Sequence, residues 1–314
     1  MGERTVIALG GNAISPASGA GTAGEQTANV WRTMVQVADL VAEGRTELVL
    51  THGNGPQVGN VLIKNELARD VVPPVPLDWC VAQTQATLGF TIANTLVHEL
   101  GLRGHHQPVV PVISRVLVDR DDRAFGAPSK PIGPYLDDDA EVARRQAEGL
   151  DFVRVGDRGW RRVVPSPQPR ASLDRAAVEL LLDHGAIVVA NGGGGIPVVD
   201  DHDGPMHGIE AVIDKDLAGG LLAAEIGAAV FAILTDVAGV AIGFGTPDQR
   251  WLTDVTLAEL REHQAAGEFT VGSMGPKVDA ACRYVERTGG LAVIATLDAA
   301  VAAVHGTAGT RVRP

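Results

Sequence analysis

The chain has two cysteines in 314 residues, Cys80 and Cys282, far apart and without metal or redox spacing. Both fall in helix-like segments and are expected to be buried thiols. No run approaches the roughly 18 unbroken apolar residues of a membrane span. The opening MGERTVIALGG enters a strand without a charged and then apolar leader, so the cytoplasm is the expected compartment and no membrane partner is expected. Positive charge is also short. Lys and Arg number 26 against 38 Asp and Glu, a formal net charge of -12, which argues against nucleic acid or an anionic membrane as partner. An anionic substrate then needs local lysines. Ser-His-Asp and Cys-His patterns are missing, which leaves no case for nucleophilic catalysis. No segment has two glycines five apart followed by Lys and Ser or Thr, which excludes a Walker loop. In HGNGPQVG, His52 to Gly59, Val58 stands where a dinucleotide fingerprint needs its third glycine, and Pro56 intrudes.

What is present alternates between two periods. Apolar runs at Thr5–Leu9, Glu47–Thr51, Val109–Ser114, Ala186–Ala190, Ala229–Thr235 and Leu291–Thr296 read as buried strands. Between them lie helical patterns near 26–43, from the end of HGNGPQVG to about 69, at 78–100, 174–184, 217–227 and 256–267, and from GSMGPK at 272–277 to about 289, the third apolar around most of its circumference and suited to a subunit interface. Strand-helix alternation implies a mainly parallel sheet covered on both faces, with ligands at the carboxyl ends of its strands. The glycine clusters fall there: Gly10 and Gly11, Gly53 and Gly55, and Gly192 to Gly195. The last group, opening the stretch Asn191 to Asp216, reads as bare backbone for an anion.

Residues 119–169 break the pattern with charge, proline and turns, and are expected to form a mobile lid with few apolar residues to pin it. Inside it, FVRV and RRVV flank a GDRG turn as a hairpin, and Asp137 to Asp139 read as a solvated helix start rather than a metal site. Lys130 lies between prolines in a loop. It joins Lys215 and Lys277 as three lysines in turn-like contexts beside glycine or proline. Many backbone donors and three lysines suit phosphoryl transfer, whose transition state asks chiefly for positioning and positive charge. An acceptor that is already an anion needs no general base.

The motifs ALGGNA, THGNGPQVG, SKPIGPY, RRVVPSPQP, GIEAVIDKD and GSMGPKV, in this order, resemble the carbamate kinases within the amino acid kinase superfamily, nearly end to end. The resemblance implies a three-layer α/β/α sandwich with a protruding lid subdomain. It implies an N-terminal lobe, 1–207, for the acceptor and a C-terminal lobe, 208–314, for ATP or ADP. Gly10, Gly11, Asn12, Gly53 and Asn54 would hold carbamate and the transferring group. Lys215 and Lys277 would contact ATP phosphates, with Asp216 positioning them, and Thr235, Asp236, Phe244, Met274 and Gly275 would complete the nucleotide site. Many relatives carry a lysine before the first glycine pair. Here Ala8 and Leu9 stand there, and Lys130 would supply the charge from the lid. Ala241 replaces an aromatic that relatives often have at the adenine pocket, leaving Phe244 as a substitute. The resemblance further implies Mg²⁺ carried on the nucleotide phosphates, carbamoyl phosphate as the product or substrate, ATP formation in catabolism, and a homodimer. A kinase of another small acid or phosphonate, and a silent nucleotide-binding regulator, are the alternatives; the presence of all three lysines counts against the second.

Overall fold

The computed structural model describes residues 3–14, 21–269 and 274–314. β1 (Thr5–Leu9) is buried throughout, as its apolar run demands, and passes through Gly10 into the one-turn helix α1 (Gly11–Ile14). α2 (Ala23–Ala42) begins earlier than its apolar period suggests, because Thr22 and Glu25 form a reciprocal capping box. β2 (Leu48–His52) extends one residue beyond its apolar run, since His52 pairs with Leu9 and is buried. α3 (Gly55–Ala68) and the long α4 (Leu77–Leu102) follow, then β3 (Val109–Pro111). β3 stops short of Ser114; it is an edge strand, where a proline without a donor is tolerated.

The chain then leaves the main sheet. β4 (Arg115–Val118) precedes an excursion built from β5 (Lys130–Leu136), α5 (Asp139–Ala147), β6 (Asp151–Arg154) and β7 (Trp160–Val164), and β8 (Pro169–Ser172) closes it. β5, β7 and β6 form an antiparallel sheet whose β6–β7 connection is the hairpin over GDRG. Asp138 caps α5, accepting from the amides of Ala140 and Glu141, so the aspartate run is a helix start. Two expectations need correction. Lys130 is the first residue of a paired strand, opposite Val164, rather than part of a loop. The excursion also has an apolar anchor: Ile132 and Val164, 5% and 3% exposed, bury against Val58 of α3 and Cys80 and Val81 of α4. Two apolar residues among prolines and arginines leave little periodic signal, yet they suffice to seat its base.

The alternation resumes with α6 (Arg175–Asp183), β9 (Ile187–Val189), β10 (Ile196–Val199), β11 (His207–Gly208), α7 (Lys215–Glu225) and β12 (Val230–Thr235). β13 (Ala241–Ile242), β14 (Arg250–Trp251), β15 (Asp254–Thr256), α8 (Leu257–Ala265), α9 (Met274–Thr288), β16 (Leu291–Thr296), α10 (Ala300–Val304) and β17 (Thr310–Arg313) complete it. The central sheet has eight strands in the order β15-β17-β16-β12-β1-β2-β9-β3, and among these pairs only β16–β17 is antiparallel. Successive side chains of a strand face opposite ways. Val6 and Ala8 therefore join Phe231 and Ile233 beneath α6, α7, α8 and α9, while Ile7 and Leu9 join Ala232 and Leu234 beneath α2, α4 and α10. The result is the three-layer α/β/α sandwich. Cys80 and Cys282 are buried free thiols in its helices. No helix among the described residues is long and apolar enough to cross a membrane.

Candidate active site

β12, β1, β2 and β9 are neighbours in the sheet and run the same way, so their carboxyl ends present Thr235–Asp236, Gly10–Gly11, Gly53–Asn54 and Asn191–Gly195 along one edge. Gly10 donates its N–H to the Leu234 carbonyl at 2.8 Å, and a Cβ there would meet that same oxygen. Gly53 donates to the Leu9 carbonyl at 3.3 Å and lies beneath the Lys215 stem, with room for a Cβ only 3.3 Å from Lys215 Cδ. The β1 and β2 loops and the start of α7 are thereby packed against one another.

α7 starts where it does because Asp214 caps it, its Oδ1 accepting from the amides of Asp216 and Leu217. Lys215 and Asp216 therefore sit in the first turn, where the helix dipole favours an anion. Asp216, 4% exposed, accepts from Lys215 Nζ through Oδ1 at 2.5 Å and from Lys277 Nζ through Oδ2 at 2.9 Å. Burial would push its carboxyl up, but the two ammonium groups outweigh it and hold the group ionised, below the usual carboxylate range. Burial lowers the Lys215 ammonium; Asp216 opposes that shift and Lys277 adds to it. From the other side, Lys130 at the head of β5 donates to Asp214 Oδ2 at 2.8 Å. The three lysines that stood out in the sequence, drawn from three distant segments, converge on two aspartates two residues apart.

The glycines after Asn191 do something other than the sequence suggests. Asn191 adopts φ 49°, and Gly193, Gly194 and Gly195 have φ of 67°, 93° and 85°, which favour glycine. A Cβ on Gly192 would overlap the His52 ring, on Gly193 the Asn54 amide, on Gly194 the Ile213 carbonyl, and on Gly195 the Val116 side chain. Gly192, Gly193 and Gly194, which form a single 3-10 turn, are all buried. Their small size serves close packing of protein against protein, the price of drawing β9's loop under Asn54 and Asp214, rather than an open bed for an anion.

Residues that sequence reasoning missed fix these loops from behind. Thr84 of α4 accepts from Asn54 Nδ2 at 2.8 Å. Its neighbour Gln85, 3% exposed, donates to the carbonyls of Gly192 and Ser114 and accepts from the Ser114 amide. His52 is 1% exposed, with Nδ1 3.0 Å from the Gly53 carbonyl, so Nδ1 carries the proton and donates. Burial drives its pKa from 6.5 to about 4, the bond to Gly53 opposing and Lys215 reinforcing, and the ring is neutral. For His52 the sequence signal was its place against Gly53; for Thr84 and Gln85, polar residues on an otherwise apolar helix, there was only that mismatch.

Beyond Lys277 lies a cavity of about 400 Å³ lined by Thr235, Asp236, Ala241, Phe244, Trp251, Met274 and Lys277, among others. Phe244 is 65% and Trp251 43% exposed, two aromatic walls beside the small Ala241. Trp251 was not anticipated. A second cavity of about 520 Å³ meets the first at Thr235, Asp236 and Lys277 and reaches Gly10, Gly11 and Arg32. Gly275 lies in α9 but is not among the residues lining either cavity. Asn12 belongs to α1; its side chain lies outside the described residues, as do Gly272 and Ser273 of the GSMGPK motif. Among the described residues no group of three or more His, Cys, Asp or Glu is placed to hold a metal.

Glycine loops at adjacent strand ends, a lysine-aspartate-lysine cluster at a helix start and an aromatic-walled cavity define a phosphotransferase site. The model of the amino acid kinase family matches residues 3–296, and the chain belongs to that family. Within it the likeness is to carbamate kinases. That of Thermococcus kodakarensis is 47% identical over 99% of both chains, and that of Pyrococcus furiosus 45% over the full length of both. The solved structure of carbamate kinase from Giardia lamblia bound to AMP-PNP superposes with a TM-score of 0.93 at 35% identity, covering 99% of this chain and 98% of that one.

Proposed function

We propose that this enzyme is a carbamate kinase, catalysing reversible phosphoryl transfer between ATP and carbamate to give ADP and carbamoyl phosphate, with ATP formation as its catabolic direction. The observation that carries the reading is the convergence of Lys130, Lys215 and Lys277 beside the Gly10–Gly11 and Gly53–Asn54 loops. Gly10, Gly11, Asn12, Gly53 and Asn54 hold the acceptor and the transferring group; the Gly10 and Gly53 amides are engaged by the Leu234 and Leu9 carbonyls, so those two glycines serve the close approach of the loops rather than donation to the ligand. Lys215 and Lys277, steered by Asp216, take the nucleotide phosphates, and Lys130 brings a third positive charge from the lid. Carbamate is already an anion, so no side chain has to remove a proton. His52 is neutral and adds no competing charge.

The adenosine occupies the cavity between Phe244 and Trp251, whose lining comes wholly from residues 235–277, which supports a C-terminal nucleotide lobe (208–314) and an N-terminal acceptor lobe (1–207). The buried carboxylate of the cluster, Asp216, is already engaged by two lysines, so the residues fit Mg²⁺ held by the nucleotide's own phosphate oxygens. That ion would neutralise part of the polyphosphate charge. On α4, Trp79, Phe90 and Val97 are exposed by 60%, 61% and 49% and fall on one stripe of the helix, which supports a homodimer. The compartment proposed is the cytoplasm.

Purified protein supplied with ADP, Mg²⁺ and carbamoyl phosphate should form ATP in a coupled assay. No ATP above the uncatalysed background would remove the reading, and phosphorylation of another small acid in preference to carbamate would change the acceptor.

A further inference from the structure

Asp214 has two tasks at once, and its two oxygens divide them. Oδ1 caps α7, accepting from the amides of Asp216 and Leu217, while Oδ2 accepts from Lys130 Nζ at 2.8 Å. Its location is fixed from both directions. Ile213, just before it, is 1% exposed and packs its carbonyl against Gly194, and Lys215, just after it, lies over Gly53. The same short segment is tied to the excursion at two more points: Val212 donates to the Pro165 carbonyl at 3.0 Å, and Glu210 accepts from Arg162 of β7 at 3.1 Å. A lysine on a long flexible stem needs such an anchor, because an ammonium free to rotate samples many positions.

We infer that Asp214 is a positioning residue for Lys130: through Oδ2 it registers the lid lysine on the first turn of α7, over the transferring group. This rests on the proposed role of Lys130. The side chains of Lys130 and Asp214 are 36% and 13% exposed, so water screens the pair and it contributes little to folding. Its effect belongs to turnover.

Asp214→Asn tests this cleanly. Asn caps helices as well as Asp, so Oδ1 keeps its work, whereas Oδ2 is replaced by an N–H₂ donor that repels the ammonium. The variant should melt with the parent and keep its KM for ADP. Its kcat for ATP formation should fall roughly tenfold, the scale of one lost charge-assisted hydrogen bond. In a Lys130→Ala background the same substitution should cost nothing further, because the group it acts through is gone. Asp214→Ser, which retains a capping oxygen, repeats the measurement if the amide disturbs the fold. An Asp214→Asn variant as fast as the parent or faster, or losses that multiply with those of Lys130→Ala, overturns the inference. The two readings separate in the single variants. Full turnover in Lys130→Ala removes the role of Lys130 itself, while a slow Lys130→Ala beside a fast Asp214→Asn removes only that of Asp214.

Discussion

A buried neutral histidine should make this protein lose stability on mild acidification, and His52 gives the amount. Its pKa is about 4 in the folded chain against 6.5 for an unperturbed ring. Between those values the unfolded chain binds a proton that the folded chain refuses, so unfolding gains protons as pH falls and stability declines with it. The contribution is complete above pH 6.5, falls by at most about 1.4 kcal/mol per pH unit below it, and levels off once the folded ring protonates near pH 4. Integrated over the gap, this is about 3 kcal/mol. Asp216, Asp122, Asp279 and Glu99 all have lowered values, and their contributions are likewise lost on acidification. Their ordinary values are 3.8 for the aspartates and 4.5 for Glu99, so they act in a lower window. His52→Asn isolates the ring. The Asn amide can donate to the Gly53 carbonyl as Nδ1–H does but cannot titrate, and the space left behind costs roughly 1 to 3 kcal/mol at pH 7. Urea unfolding midpoints of parent and variant, taken from pH 7.5 to 4.5, should converge as pH falls. Parallel curves with a constant gap would refute the argument and return His52 to an ordinary packing role.

Gly193→Ala combines a left-handed backbone with overlap onto the Asn54 amide, so it should cost activity by on the order of tenfold or more along with several degrees of thermal midpoint, whereas Gly101→Ala, in an open helical position, should leave both nearly unchanged. ATP formation and melting of the two variants decide it, and a fully active Gly193→Ala would mean that Asn54 is not held by this packing. Asp216→Asn combined with Lys277→Ala should lose much less turnover than the product of the single losses, because the carboxylate acts through the ammonium it holds. Multiplicative losses would make Asp216 an ordinary helix-start residue.

The layers of this fold were legible because its strands are unbroken apolar runs between amphipathic helices, and a parallel sheet then places the turns of β1, β2 and β9 on one edge. Lys130, Lys215 and Lys277 stood out for their glycine and proline neighbours. What escaped was geometry across long separations. Nothing local pairs Lys130 with Asp214, 84 residues away. The four glycines at 192–195 look alike as letters whether they face an anion or the atoms of His52, Asn54, Ile213 and Val116. The seating of the lid by Ile132 and Val164 is visible only once α3 and α4 lie beneath them. Asp214 was hidden differently, since an aspartate before a helix already has a sufficient explanation as a cap.

α4 has an inner face that holds Asn54 and Gly192 through Thr84 and Gln85, and an outer stripe of Trp79, Phe90 and Val97. A helix is only about 10 Å across, so the two faces share one rigid rod. For anyone engineering this protein, that rod is poor ground for surface redesign. A solubilising change on the stripe, a dye fixed there, or a resin gripping it loads the back wall of the reaction chamber.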